Sequence, residues 1–201
     1  MRGIKRIHIE SDWKPDRILK FSRPLEPTAN KLYRDLFQHI DMPLLPGCEE
    51  LTCTKEEAMA RYDYQEGIDV LLYFENGHKA TLQEKFLDFP HSTVTFTEKQ
   101  KRKQGAWYTC TAQYWFVGYA RRFRSAGIAE FQDWMLIDLP TLHRIDASQK
   151  LPWRFKGNND PNYKGITFRY LYFGDVPTAC IIDRHKRMPR HLPARQAAFD
   201  F

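Results

Sequence analysis

Residues Gly67 to Phe86 read GIDVLLYFENGHKATLQEKF. Two apolar runs, Ile68 to Phe74 and His78 to Phe86, flank Glu75-Asn76-Gly77. Asn-Gly in that setting predicts a tight hairpin, because both residues tolerate positive φ. Polar residues interrupt each run: Asp69 near the start of the first, Gln83-Glu84-Lys85 near the end of the second. Antiparallel pairing lays the start of one strand beside the end of the other, so these residues are expected to meet. Side chains two apart share a face, which sends Gln83 and Lys85 one way and Glu84 the other. A carboxylate, an amide oxygen and an ammonium converge at one end of such a hairpin, either as a site or as a buried ion pair. The two oxygens suit a hard cation, Mg²⁺ or Mn²⁺. The ammonium beside them can orient or deprotonate a water and stabilise charge building on a phosphate.

This pattern resembles the PD-(D/E)xK, or restriction-endonuclease-like, nuclease superfamily, in which an Asp on one strand is followed about one hairpin later by Asp/Glu-x-Lys. Asp69 matches the Asp and Gln83-Glu84-Lys85 the triplet, with Gln in place of the acid, as in some members of the superfamily. The departure removes one negative charge from the metal site and bears on metal affinity and number. The resemblance covers about half the chain, from the helix before Asp69 to the strand near Ile137. It implies an α/β fold with a mixed central β-sheet flanked by helices. It also implies a metal site formed by Asp69, the Gln83 oxygen and Glu84 through its backbone carbonyl, with Lys85 near the attacking water. An additional acid on the helix ahead of the first core strand is implied too; Glu57 and Asp63 are candidates, then Glu66, with Glu49 and Glu50 further upstream.

Glu84 shares its strand face with Ala80, Leu82 and Phe86. A glutamate there is costly unless paired or protonated. It is therefore expected to pair with a basic side chain from a packing helix, or, if the strand bulges, to face the metal itself.

The chain has 201 residues, enough for one domain with a sizeable core. Hydrophobic content of 42% with 14% aromatics predicts a folded protein. A net charge of +6 favours an anionic partner. No apolar run has membrane-spanning length, and the basic N-terminus lacks the apolar stretch of a signal peptide, so a cytoplasmic protein without a membrane partner is expected. Cys48, Cys53, Cys110 and Cys180 show no CxxC spacing and read as reduced thiols.

Along the chain, Ile4 to Glu10 alternates as a short strand or an arm, and Thr28 to Ile40 carries a helical apolar face. Thr54-Lys-Glu-Glu57 is a capping box that opens a helix to about Tyr64. Thr93 to Phe96 reads as a strand, and Glu98 to Gln104 as a basic turn of helix ending at Gly105. Ala106 to Cys110, Ala112 to Tyr119 and Trp134 to Asp138 read as strands, and Pro140 to Ile145 as a helix. Residues 1–148 thus form the nuclease-like core with its N-terminal arm. Residues 149–201 add a loop (Lys150 to Lys164), a β-hairpin of Ile166–Phe173 with Thr178–Ile182, and a basic tail packed on the same domain.

Three basic groups surround the acidic hairpin: Lys99, Lys101, Arg102 and Lys103; Arg121, Arg122 and Arg124; and Arg184, Lys186 and Arg187 in the tail. Such residues neutralise phosphates without reading sequence, and equally form ordinary solvated faces. The resemblance implies a metal-dependent DNA endonuclease hydrolysing phosphodiester bonds and leaving a 5′-phosphate. A homodimer belongs to that expectation where both strands are cut. The alternative, favoured by Gln83, is a catalytically silent nucleic-acid-binding module or a subunit of a larger DNA-processing assembly. A third reading is a protein-interaction domain whose tail serves solubility.

Overall fold

The computed structural model describes residues 2–9, 22–54, 57, 68–88, 92–100, 102–122, 129–157 and 165–186. It is a mixed α/β fold built on two sheets. The larger has seven strands: β1 (Ile4–Ile9), β2 (Cys48–Cys53), β3 (Val70–Tyr73), β4 (Lys79–Asp88), β7 (Tyr114–Arg122), β8 (Ala129–Asp138) and β11 (Ile181–Lys186). Their order across the sheet is β11-β8-β7-β4-β3-β1-β2. The smaller sheet, of order β6-β5-β10-β9, comprises β5 (Thr93–Gln100), β6 (Lys103–Gln104), β9 (Arg154–Gly157) and β10 (Ile166–Tyr172). The α-helices with described bounds are α1 (Glu26–His39), the single turn α2 (Ala106–Thr109) and α3 (Leu139–Ser148).

The β3–β4 hairpin forms as the Asn-Gly signal predicts. Gly77 sits at φ +83, its N–H donates to Phe74 O at 3.0 Å, and the Asn76 Oδ1 accepts from His78 N at 2.9 Å. Alternation along these strands then creates two cores, one on each face of the large sheet. Val70, Leu72, Phe74, Ala80 and Leu82 meet α1, whose Ala29, Tyr33, Leu36 and Phe37 recur at helical spacing. Leu71, Tyr73, Trp115 and Val117 meet the small sheet through Val94, Phe96 and Leu171, with Leu142 of α3 in the same cluster.

Parallel neighbours need a crossover, and both parallel pairs use theirs to cover a face. The β1–β2 crossover carries α1. The β4–β7 crossover carries β5, β6 and α2. The second face is therefore covered by a sheet with α3, where a sheet flanked by helices was expected.

Three local expectations are corrected. Residues 98–100 and 103–104 are strand, not helix: β5 continues to Gln100 and pairs with β6, with Lys99 opposite Gln104. Ala106–Thr109 is a helical turn, not a strand. The C-terminal strands are not partners in a hairpin. β10 lies between β5 and β9, whereas β11 pairs with β8 at the edge of the large sheet. The turns Phe173–Asp175 and Thr178–Cys180 carry the chain from one sheet to the other. β2 is an edge strand with no counterpart among the expected elements, and β9 forms inside the expected 150–164 loop.

The small sheet is held by Arg169, whose guanidinium lies 4.8 Å from the Trp107 ring centroid, 5.0 Å from Trp153 and 5.4 Å from Tyr108. It pairs with Glu98 and sits 3.6 Å from Asp146. A buried cation needs such partners, and here they join β5, α2, α3 and β10.

On the α1 face, Arg6 is 2% exposed and grips the Glu84 carboxylate with both terminal nitrogens, at 2.6 and 2.9 Å. Its Nε donates to Asn30 Oδ1 at 2.9 Å, and Tyr33 donates its hydroxyl to Glu84 at 2.6 Å. Removing one partner strands the other charge in the core. Glu84→Ala is expected to destabilise by about 3–5 kcal/mol in urea denaturation, and the double variant Arg6→Met/Glu84→Leu by clearly less.

Candidate functional site

The site is created by a strand that ends early. Asp69 N donates to Leu82 O at 3.0 Å and Ile7 N donates to Asp69 O at 3.0 Å, and β3 begins at the next residue. β4 runs on to Asp88, so from Glu84 onward its edge toward β3 has no strand partner among the described residues. Asp69 supplies the missing contact with its side chain: Oδ2 accepts from Glu84 N at 2.9 Å. The same Oδ2 accepts a short hydrogen bond from Gln83 Nε2, which also donates to Glu84 O at 3.1 Å. Two anionic or carbonyl oxygens thus converge on one amide nitrogen, and the other end of that amide, Gln83 Oε1, is buried with no hydrogen-bond partner among the described residues. A buried carbonyl oxygen left without a donor is costly and calls for an explanation.

Lys85 lies on the same strand face as Gln83. Its Nζ donates to Thr95 O at 3.2 Å, on the edge of β5, and sits 5.3 Å from the Phe168 ring centroid. Burial lowers its pKa from an ordinary 10.5 to about 8. The Glu84 side chain points to the opposite face, where it pairs with Arg6, so only its backbone carbonyl belongs to the site. The basic partner comes from strand β1, not from a packing helix.

Glu57 closes the expected capping box: it accepts from Thr54 N at 3.0 Å, and its own N–H donates to Thr54 Oγ1 at 3.2 Å. Its carboxylate is thereby occupied as a cap at an exposed position. Asp63 and Glu66 lie outside the described residues. Sequence reading passed over Glu26, at the first turn of α1. It is buried, its carboxylate lies 3.7 Å from His8 Nε2, and burial raises its pKa. The signal was available: an acid just ahead of a Pro and an apolar helical face. Glu49 pairs with Lys5 at 3.4 Å on the sheet edge.

The oxygen set of Asp69 Oδ2, Glu84 O and the Gln83 amide fits a hard divalent cation: turning the amide would present Oε1 where Nε2 now bridges. Among the described residues no group of three or more His, Cys, Asp or Glu side chains is gathered at one point. A metal here therefore depends on amide and backbone oxygens.

Lys99, Arg102 and Lys103 are exposed together on the β5–β6 hairpin. Beside it opens a cavity of about 450 Å³ lined by Thr97, Gln100, Gln104 and Cys110 among others. Arg121 and Arg122 end β7, and Lys186 ends β11. Arg184 is exposed, with Nη1 3.5 Å from Phe173 O. Lys101, Arg124 and Arg187 lie outside the described residues. No helix among the described residues is long and apolar enough to cross a membrane. Comparison of the chain with family models, curated proteins and solved structures gives no match.

The lowered lysine has a measurable consequence. Between pH 8 and 10.5 the folded protein has released the Lys85 proton while the unfolded chain still holds it, so this group adds stability as pH rises through that window. The thiols of Cys110 and Cys180, pushed up to about 11, act in the opposite sense above pH 9. The difference between wild type and Lys85→Met isolates the lysine. Denaturation midpoints should favour the variant most below pH 8, with the gap closing toward pH 10; a constant gap would show an ordinary surface lysine.

Proposed function

We propose that the protein is a metal-dependent nuclease hydrolysing phosphodiester bonds in DNA, with a restriction-endonuclease-like core and its chemistry at the early end of β3. The observation that carries this reading is the convergence of Asp69 Oδ2 and Glu84 O on the Gln83 amide, with Oε1 of that amide buried and without a hydrogen-bond partner among the described residues. A buried carbonyl oxygen of this kind calls for a donor or an ion.

Asp69, the Gln83 amide oxygen and the Glu84 carbonyl would hold Mg²⁺ or Mn²⁺. When bound, the ion supplies Lewis-acid polarisation of the scissile phosphate and acidifies water. The chain supplies positioning and proton handling. Asp69 is fixed by the Glu84 N–H, and Arg6 and Tyr33 lock Glu84 from behind. Lys85, with a pKa near 8, holds a proton at neutral pH yet releases it readily, so its Nζ can steady charge on a phosphate oxygen or take a proton from attacking water. Attack of water at phosphorus breaks the P–O3′ bond and leaves a 5′-phosphate. The exposed cations of the β5–β6 hairpin serve the phosphate backbone.

Incubation with linear, branched and single-stranded DNA should give cleavage that requires Mg²⁺ or Mn²⁺ and is lost in Asp69→Ala and Lys85→Ala. Gln83→Glu adds a negative ligand and is expected to lower the metal concentration for half-maximal cleavage several-fold. The second reading, a silent nucleic-acid-binding module, is favoured by the Gln83 amide nitrogen filling the place a cation would take. Binding of DNA without cleavage under either metal would establish it.

A further inference from the structure

Burial along β10 alternates. Arg169 and Leu171 are buried, while Phe168 and Tyr170 are partly exposed and Tyr172 is 46% exposed. Period-two alternation therefore places three rings in a row on the face turned away from the core. Register sets two cations beside them: Arg154 pairs opposite Tyr170, and Lys156 opposite Phe168. Arg154 stacks over the Tyr172 ring at 4.5 Å to the centroid and is steadied by Asp175 at 2.7 Å. Tyr170 and Tyr172 meet edge to face at 5.9 Å. At the far end of the row, Phe168 touches the Lys85 ammonium.

A row of three rings, two partly exposed and Tyr172 exposed, carries a cost unless something covers it, and the neighbouring cations restrict what that can be. Bases have flat faces that stack on rings, and phosphates between them seek positive charge. Rings two residues apart on a strand are about 6.7 Å apart, a spacing that an extended strand of nucleotides can follow but stacked base pairs cannot. A duplex hides its base faces; a single strand offers them.

We propose that the outer face of the small sheet is a stacking platform for single-stranded nucleic acid, with Phe168, Tyr170 and Tyr172 taking successive bases and Arg154 and Lys156 the phosphates. The strand runs along β10 toward Lys85. This rests on the nuclease reading for its direction and narrows the substrate of that site to a single-stranded tail, flap or loop.

The test is a binding measurement in EDTA, where cleavage plays no part. Fluorescently labelled (dT)12, (rU)12 and a 12-base-pair duplex are titrated with wild type, Tyr170→Leu/Tyr172→Leu and Tyr172→Trp. Phe168 is left intact because its ring touches Lys85. Wild type should bind a single strand at least tenfold more tightly than the duplex. The double Leu variant should lose tenfold or more of that affinity, consistent with stacking of about 1–3 kcal/mol per base. Tyr172→Trp, which keeps a ring, should stay within a few-fold of wild type. The (dT)12 and (rU)12 arms assign the sugar. A duplex preferred over both single strands, absent binding, or an undiminished double Leu variant overturns the platform. Ring-dependent binding without metal-dependent cleavage removes the nuclease reading and leaves the platform standing; cleavage indifferent to the rings does the reverse.

Discussion

A carboxylate buried under a sheet must be met by a cation, and Glu84 is met by Arg6 with both nitrogens of the fork. The two residues lie on strands that are not neighbours, because β3 runs between β1 and β4. The pair reaches across where β3 starts: Arg6 is in register with Val70, and Glu84 lies two residues beyond the Val70 partner Leu82. It therefore fixes the flanking strands at the level where the middle one gives out. Burial makes the arrangement costly to disturb, since neither charge has water to fall back on. What the α1 face gains in rigidity the opposite face uses, for the gap between β1 and β4 is where Asp69 and Gln83 meet.

Much of this site was legible in the sequence because it depends on short-range rules. Asn76-Gly77 fixed the hairpin, the hairpin fixed which residues face each other, and alternation separated Gln83 and Lys85 from Glu84. The need for a cation opposite Glu84 was also readable, but its source was not. Arg6 lies far upstream on an alternating strand, and only the tertiary order of the sheet brings it there. Where sequence reading failed, tertiary context overrode local preference. Residues 98–104 are rich in helix-favouring Glu, Lys, Gln and Arg, yet the edge of β5 offered backbone partners, and 98–100 and 103–104 became strand. The aromatic run at 106–109 suggested a strand for the converse reason. Two strands separated by a turn suggested a hairpin, but the short turns between β10 and β11 step from one sheet to the other.

Gln83 gives the site its ambiguous chemistry. An acid there would repel Asp69 and bind metal strongly; the amide instead offers a donor at one end and an acceptor at the other. The donor end meets Asp69 and the Glu84 carbonyl. The acceptor end is buried with no hydrogen-bond partner among the described residues. A half-turn of one side-chain torsion exchanges these roles, a smaller rearrangement than moving a strand.

The aromatic cage around Arg169 has a consequence for handling the protein. Exposed charges that hold a nucleic acid are screened by salt within a Debye length of about 8–10 Å, whereas buried pairs are screened far less. The contacts of Arg169 with Glu98 and Asp146 are partly buried against indole rings. Salt strong enough to screen the exposed Lys99, Arg102 and Arg154 would thus leave the small sheet seated on the large one. Ionic strength separates release of a ligand from loosening of the fold, so the two can be followed independently on the same sample.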